Sequence, residues 1–313
     1  MNGAIDTPAG WSRWVVYQRE RFPLAGHGPL VAAFSTSAVC YSTLARGATT
    51  LPRASALIVA FVTSLLFFLQ LRIADEFKDF EDDSKHRPYR AVPRGLVSLR
   101  ELAWVGVAAA LVQLTLSLAL DPSIVWLLVI AWIYLALMTK EFFAVRWLKA
   151  HPVIYMTSHM VILPLVDLYA TATDWWVAGL RTPPAGLFWF LVVSYLNGLV
   201  VEIGRKTRVP ADEEPGVDTY SALWGTSGAA RAWMFAVLLT AAAAYRAAAE
   251  IGTERWMVML LALLVALCAG AAIRVIRSDA SGSGKAIEVM SGVWTVLMYL
   301  GLGAAPVVFA WLR

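Results

Sequence analysis

The chain has 313 residues, of which 59% are apolar and only 15% charged, with a formal net charge of +4. Soluble domains hold about 45–50% apolar residues, so this composition excludes an ordinary soluble fold and implies an all-α integral membrane protein. The two cysteines, Cys40 and Cys268, lie in apolar stretches, which excludes a disulfide framework and a cysteine-based metal centre.

In chain order, residues 1–28 read as an interfacial segment. Trp11, Trp14, Arg13, Arg19 and Arg21 are mixed there in a pattern suited to headgroups. No apolar stretch followed by a small-residue cleavage site is present, which argues against a cleaved signal peptide. Apolar runs of spanning length follow at Leu30 to Leu44, Ala54 to Ala74, Leu102 to Leu120, Ser123 to Thr139, Val153 to Ala172, Ala185 to Val201, Ala230 to Ala249, Trp256 to Ile273 and Val289 to Leu312. They predict roughly nine transmembrane helices, the first and fourth of them short. No boundary divides them, so residues 1–313 read as a single polytopic membrane domain.

Most of the 26 Lys and Arg residues fall in alternate connections, and only Arg46, Arg53, Arg181, Arg246, Arg255 and Arg313 lie on the other side. The positive-inside rule then places the N-terminus in the cytoplasm and the C-terminus outside. Topology accounts for the basic loops without nucleic acid as a partner; the bilayer is the partner. The expected location is a bacterial inner membrane.

Polar residues concentrate in two loops on the cytoplasmic side, 72–100 and 202–229. Asp75, Asp79 and Asp83 recur every four residues, which in a helix stacks three carboxylates along one face, and such hard oxygen donors suit Mg²⁺. The second loop mixes Glu202, Asp212, Glu213, Glu214 and Asp218 with Arg205, Lys206 and Arg208. A Mg²⁺-bridged diphosphate requires this mixture, because acids hold the metal while bases meet the remaining phosphate oxygens. One such loop is ordinarily a solvated topology signal; two, each starting within a turn of a span's end, argue for a site. Asp75 and Glu202 fall at the membrane boundary, where unpaired carboxylates tend to be functional.

The pattern resembles the UbiA superfamily of intramembrane prenyltransferases. Asp75-Glu76-x2-Asp79-x3-Asp83 stands where that family has N-D-x-x-D-x-x-x-D, and Arg90-Ala-Val-Pro93-Arg-Gly95 resembles its R-P-L-P-S-G. Asp212-x3-Gly216-Val217-Asp218-Thr219, then Leu223-Trp224-Gly225, is similar to the second motif, D-x-x-x-G-(V/I)-x-(S/T) followed by L-x-F-G. The family's Asn-Asp pair has become Asp75-Glu76, and Glu202 with the Arg205-Lys206-x-Arg208 cluster stands where an earlier Asp is common.

The resemblance implies nine helices around a cavity open to the cytoplasmic side and Mg²⁺ as cofactor. It implies transfer of a prenyl group from a prenyl diphosphate to an aromatic or other lipophilic acceptor. Asp75 and Asp79 are the expected first metal ligands, with Glu76 and Asp83 next, and Glu202, Asp212 and Asp218 form a second set. Lys78, Arg87, Arg90, Arg205 and Lys206 are expected on the diphosphate, and Asn197 is placed to approach it. Asp82, Glu213 and Glu214 read as solvated members of acidic runs.

Departure of pyrophosphate leaves an allylic cation that must be kept from water. Trp132, Tyr134, Tyr155, Trp189 and Tyr195 are aromatic rings that could face it, although packing or an interface belt is the ordinary role of each. His159 and Asp167, eight residues apart on the fifth span, would share a helix face and could bind or deprotonate the acceptor; the ordinary alternative is a structural hydrogen bond. Lys140-Glu141 and Arg146 read as an ordinary cytoplasmic loop. The same ionisation would serve a membrane terpene cyclase. A secondary transporter is disfavoured because no Gly/Pro-broken span recurs between the two halves.

Overall fold

The computed structural model describes residues 10–214, 217–278 and 280–312. Among them the regular structure is helical. Membrane-length helices are α2 (Leu24–Ala45), α3 (Ala54–Lys78), α5 (Leu99–Leu120), α6 (Val125–Thr139), α10 (Leu187–Arg205), α11 (Tyr220–Glu250) and α12 (Glu254–Arg277). Two further spans are each built from a pair: α8 (Pro152–Met160) with α9 (Ile162–Trp175), and α13 (Lys285–Leu302) with α14 (Ala304–Trp311). Short helices α1 (Ser12–Arg21), α4 (Phe80–His86) and α7 (Val145–Ala150) lie between or before them.

Eight of these spans among the described residues are long and apolar enough to cross a bilayer. The ninth expected span is α2, which has 22 residues but carries Ser35, Ser37, Ser42 and Thr43, all buried. It packs against α3, α9 and α13, so its hydroxyls face protein rather than lipid, and Ser35 and Thr43 donate to the carbonyls of Val31 and Val39 one turn back.

Proline explains both broken spans. Pro164 lacks the N–H that would reach the Met160 carbonyl, and Pro306 lacks the one that would reach Leu302, so the helices break at Val161 and Gly303. At Gly303 the chain comes so near α2 that an added Cβ would lie 2.2 Å from the Ser37 carbonyl oxygen. Val161 nonetheless keeps helical φ −61° and ψ −21° between α8 and α9, so the two run on as one span, His159 reaching Lys78 and Asp167 accepting from Tyr299.

Lipid offers no hydrophobic drive between helices, so close approach of small residues and interhelical hydrogen bonds hold the bundle. Ala229, Ala230, Ala236, Ala243, Ala244, Ala247 and Ala248 bury one side of α11, which packs on α10 and α12. Tyr41 donates to the Ala247 carbonyl at 2.9 Å, and the Trp233 indole donates to Ser291 at 2.8 Å. At the end of the bundle that lacks the motif loops, Arg46 makes two hydrogen bonds to Asp174, at 2.9 and 3.1 Å.

Helix α1 lies across the charged end. Arg13 pairs with Glu101 at 2.5 Å, Glu20 with Arg94 at 2.8 Å, and Arg21 with Glu76. Residues 1–9 of the expected interfacial segment, and Arg313, lie outside the described residues.

Candidate active site

The site is built on the last turns of α3 and α10. Helix α3 ends at Lys78, and Asp79 adopts φ −92°, ψ 0° before α4 begins. The three acids therefore do not run along one straight helical face as their spacing suggested. Asp75 is half-exposed, with Arg72 3.5 Å away, while Asp83 is buried against Arg90 at 2.5 Å and Arg87 at 3.8 Å. Glu76 points away from Asp75, as adjacent helical positions must. Its carboxylate is buried and paired with Arg21 of α1.

Protein around Asp79 removes solvation and the Asp75 carboxylate repels its charge, which together hold Asp79 above the usual carboxylate range; Lys78 and Arg90 oppose the shift. A carboxylate held above its usual range beside another carboxylate is a natural seat for a divalent cation, whose charge relieves the repulsion.

On α10, Glu202 is held by Arg205 at 2.7 Å and Lys206 at 3.0 Å. Asp75 adds to the field of Glu202 at Arg205, and α8 bridges the two motif helices, Lys78 of α3 donating to Tyr155 and Tyr195 of α10 to the Thr157 carbonyl, so the two motif regions meet at one end of the bundle. The later acids of the second loop lie apart from this meeting point. Asp212 accepts from the Ser281 hydroxyl at 2.5 Å and the Gly282 N–H at 2.7 Å, tying the loop to the α12–α13 connection. Those hydrogen bonds hold its carboxyl below the usual range. Glu213 is not simply solvated: it accepts from Thr219 and Ser221 at 2.8 Å, and Glu214 pairs with Arg208 at 3.0 Å. Asp218 is exposed, and Gly216 lies outside the described residues.

A polar cleft of about 590 Å³ opens between this loop and the α12–α13 connection, lined by Arg205, Arg208, Asp212, Ser281 and Lys285. Asp75 and Asp79 do not line it. Arg205 is thus the cation between that cleft and the first motif.

Asn197 is buried in the bundle, its side-chain oxygen accepting from Trp294 at 3.1 Å and its amide nitrogen without a partner. Asp167 is fully buried and accepts from Tyr299 at 3.0 Å. Of the singled-out aromatics, Trp132 donates to Gln113, Tyr134 to the Ser158 carbonyl and Tyr195 to the Thr157 carbonyl. Tyr155 accepts from Lys78 of the first motif at 2.6 Å.

One residue was read as ordinary loop and is not. Glu141 is buried, 3.4 Å from Lys78, and begins three consecutive left-handed residues. Sequence carries no signal for it, since Glu-Phe-Phe is not a left-handed motif.

Among the described residues no three acid or imidazole side chains already converge on a point that could hold a metal. The donor chemistry still fits one: Asp75 and Asp79 offer hard oxygens one helical turn apart, and Glu202 offers another in the last turn of α10.

No curated protein matches this sequence. Solved structures share its fold. A UbiA homologue from Aeropyrum pernix K1 in its apo form superposes with a TM-score of 0.66 at 14% identity, over 90% of this chain and 97% of that one. A digeranylgeranylglyceryl phosphate synthase gives 0.62 at 15% identity, over 96% and 99%. A UbiA homologue from Archaeoglobus fulgidus bound to DMAPP and Mg²⁺ gives 0.54 at 12% identity, over 91% and 98%. The profile of the UbiA prenyltransferase family matches residues 32–290, and with two acid-bearing helix ends meeting at one end of an all-helical membrane bundle, the chain belongs to that family.

Proposed function

We propose that this protein transfers a prenyl group from an isoprenoid diphosphate to a small lipophilic acceptor, aromatic or otherwise, within the membrane, releasing pyrophosphate with Mg²⁺ as cofactor. The observation that carries this reading is that α8 bridges the two acid-bearing helices, Lys78 of α3 donating to Tyr155 at 2.6 Å and Tyr195 of α10 to the Thr157 carbonyl at 3.2 Å. Asp75 and Asp79 would hold Mg²⁺, with Glu202 opposite. When bound, the metal supplies positive charge to the diphosphate oxygens and to the bond that breaks.

The chain's own groups do the rest. Arg205, half-exposed beside Glu202, and Lys206 orient the diphosphate and meet the charge that grows on it. Arg87 and Arg90 reach the same end while held by Asp83. Tyr155, stacked on His159 at 4.0 Å, engages Lys78 through its hydroxyl at the end of α3 that carries the acids. Apolar helices exclude the water that would capture an allylic cation. The motif end faces the cytoplasm by the distribution of Lys and Arg, in a bacterial inner membrane.

The test is incubation of purified protein with prenyl diphosphates of several lengths, Mg²⁺ and a membrane extract, with products identified by mass. Prenylated acceptor plus pyrophosphate is expected, and Asp75→Ala and Asp79→Ala abolish both while remaining folded in detergent. Turnover at the wild-type rate in both variants would contradict the assignment; a cyclic hydrocarbon or alcohol formed without acceptor would replace transfer by cyclisation.

A further inference from the structure

Lys78 directly precedes Asp79, and its ammonium is held from three sides. Nζ lies 2.6 Å from the Tyr155 hydroxyl, 3.3 Å from His159 Nε2 and 3.4 Å from Glu141 Oε1. His159 Nδ1 is 2.7 Å from the Tyr155 carbonyl oxygen, which can only accept. Nδ1 of a neutral ring therefore carries the hydrogen, and Nε2 offers its lone pair to Lys78. The Tyr155 hydroxyl donates in turn to Glu141 Oε1 at 3.2 Å. An ammonium has three N–H donors, and here all three have partners within the protein.

Fixing the charge this way carries visible strain. Glu141, Phe142 and Phe143 have φ of +46°, +52° and +59°, left-handed backbone that is strained for a non-glycine residue. Glu141 Oε2 is buried without a hydrogen-bond partner, a second unfavourable feature. Phe142 wedges the turn in place, edge-on to both Tyr134 and His159. Tyr155 stacks on His159 at 4.0 Å. A surface ion pair would not require a turn of this kind, and strain of this sort gathers where a side chain must be aimed. Lys78 is the last residue of α3, so the ammonium is held at the helix end that carries Asp75 and Asp79.

We propose that Glu141 is a positioning residue, which, with Tyr155 and His159, holds Lys78 as a fixed positive charge at the end of α3 that carries Asp75 and Asp79, arranged in advance to stabilise the negative charge on a departing diphosphate. This rests on the prenyl-transfer reading above. A charge already held needs no reorganisation as the bond breaks, so its effect falls on kcat more than on KM.

The experiment is a double-mutant cycle on purified protein, reading pyrophosphate release from the best prenyl diphosphate and binding of inorganic pyrophosphate with Mg²⁺. Lys78→Met lowers kcat by about 10²-fold, and Glu141→Gln by about tenfold with a smaller change in KM. In the Lys78→Met background Glu141→Gln has no further effect, because it acts only through Lys78. If Glu141→Gln does not fold, Tyr155→Phe, which removes only the linking hydroxyl, takes its place in the cycle. A wild-type kcat in Glu141→Gln, or a loss that adds in full to that of Lys78→Met, overturns the role of Glu141 alone. Failure of the wild type to bind pyrophosphate or release it overturns the diphosphate reading together with this inference.

Discussion

Glu76 belongs to the acidic motif by sequence and to the scaffold by structure, and Arg21→Met separates the two. The pair is buried, with side-chain exposures of 11% for Arg21 and 1% for Glu76, and Arg21 is the only ion-pair partner of Glu76 among the described residues. Removing one member of a buried pair leaves the other charged and desolvated, which costs about 3–5 kcal/mol. Removing both, as Arg21→Met with Glu76→Met, eliminates the stranded charge and is near neutral, within about 1 kcal/mol. Reversible unfolding in mixed detergent micelles, followed by tryptophan fluorescence, measures both. The single variant is strongly destabilised, the double variant regains nearly all the loss, and it still releases pyrophosphate with unchanged Mg²⁺ dependence. A well-folded double variant as inactive as Asp75→Ala would refute the reasoning, because Glu76 would then be a ligand. So would an Arg21→Met loss below about 1 kcal/mol, because the pair would then not be a buried one.

Two further outcomes follow from the site. Asp79 binds protons more tightly in the folded protein than in the unfolded chain, so its contribution to stability is greatest at low pH and falls as pH rises through its raised pKa. Asp79→Asn consequently raises the melting temperature of the metal-free protein at neutral pH while abolishing pyrophosphate release; a lowered melting temperature would show that Asp75 does not repel it. At Gly204, in the last turn of α10, an added Cβ would lie 2.0 Å from Ser291 Oγ and 3.2 Å from Trp233 Nε1. Gly204→Ala is expected to cost about 1–3 kcal/mol by overpacking and to disturb the adjacent Arg205, read as a lower melting temperature and weaker pyrophosphate binding; an unchanged melting temperature would contradict the close approach.

Much of this was legible in the residues. Hydropathy marked spans such as α3, α11 and α12 because a helix in lipid must be apolar over a fixed length. It blurred at α2, whose hydroxyls are satisfied inside the bundle, and it ran through Pro164, whose missing N–H divides α8 from α9 within one span. Asp75, Asp79 and Glu202 stood out because carboxylates at a span's end are rare.

What the sequence determined by itself was local: helical spans, the likeness of the two acidic motifs to one family, and which residue types stand at the membrane boundary. These follow from periodicity and transfer energies that each segment carries alone. Tertiary structure decided which acids are free and which are held, setting Arg21 on Glu76 across 55 residues and Glu141 on Lys78 across a left-handed turn. Whether a carboxylate binds a cation or anchors a helix depends on the charge placed opposite it, and only the packed bundle chooses that neighbour.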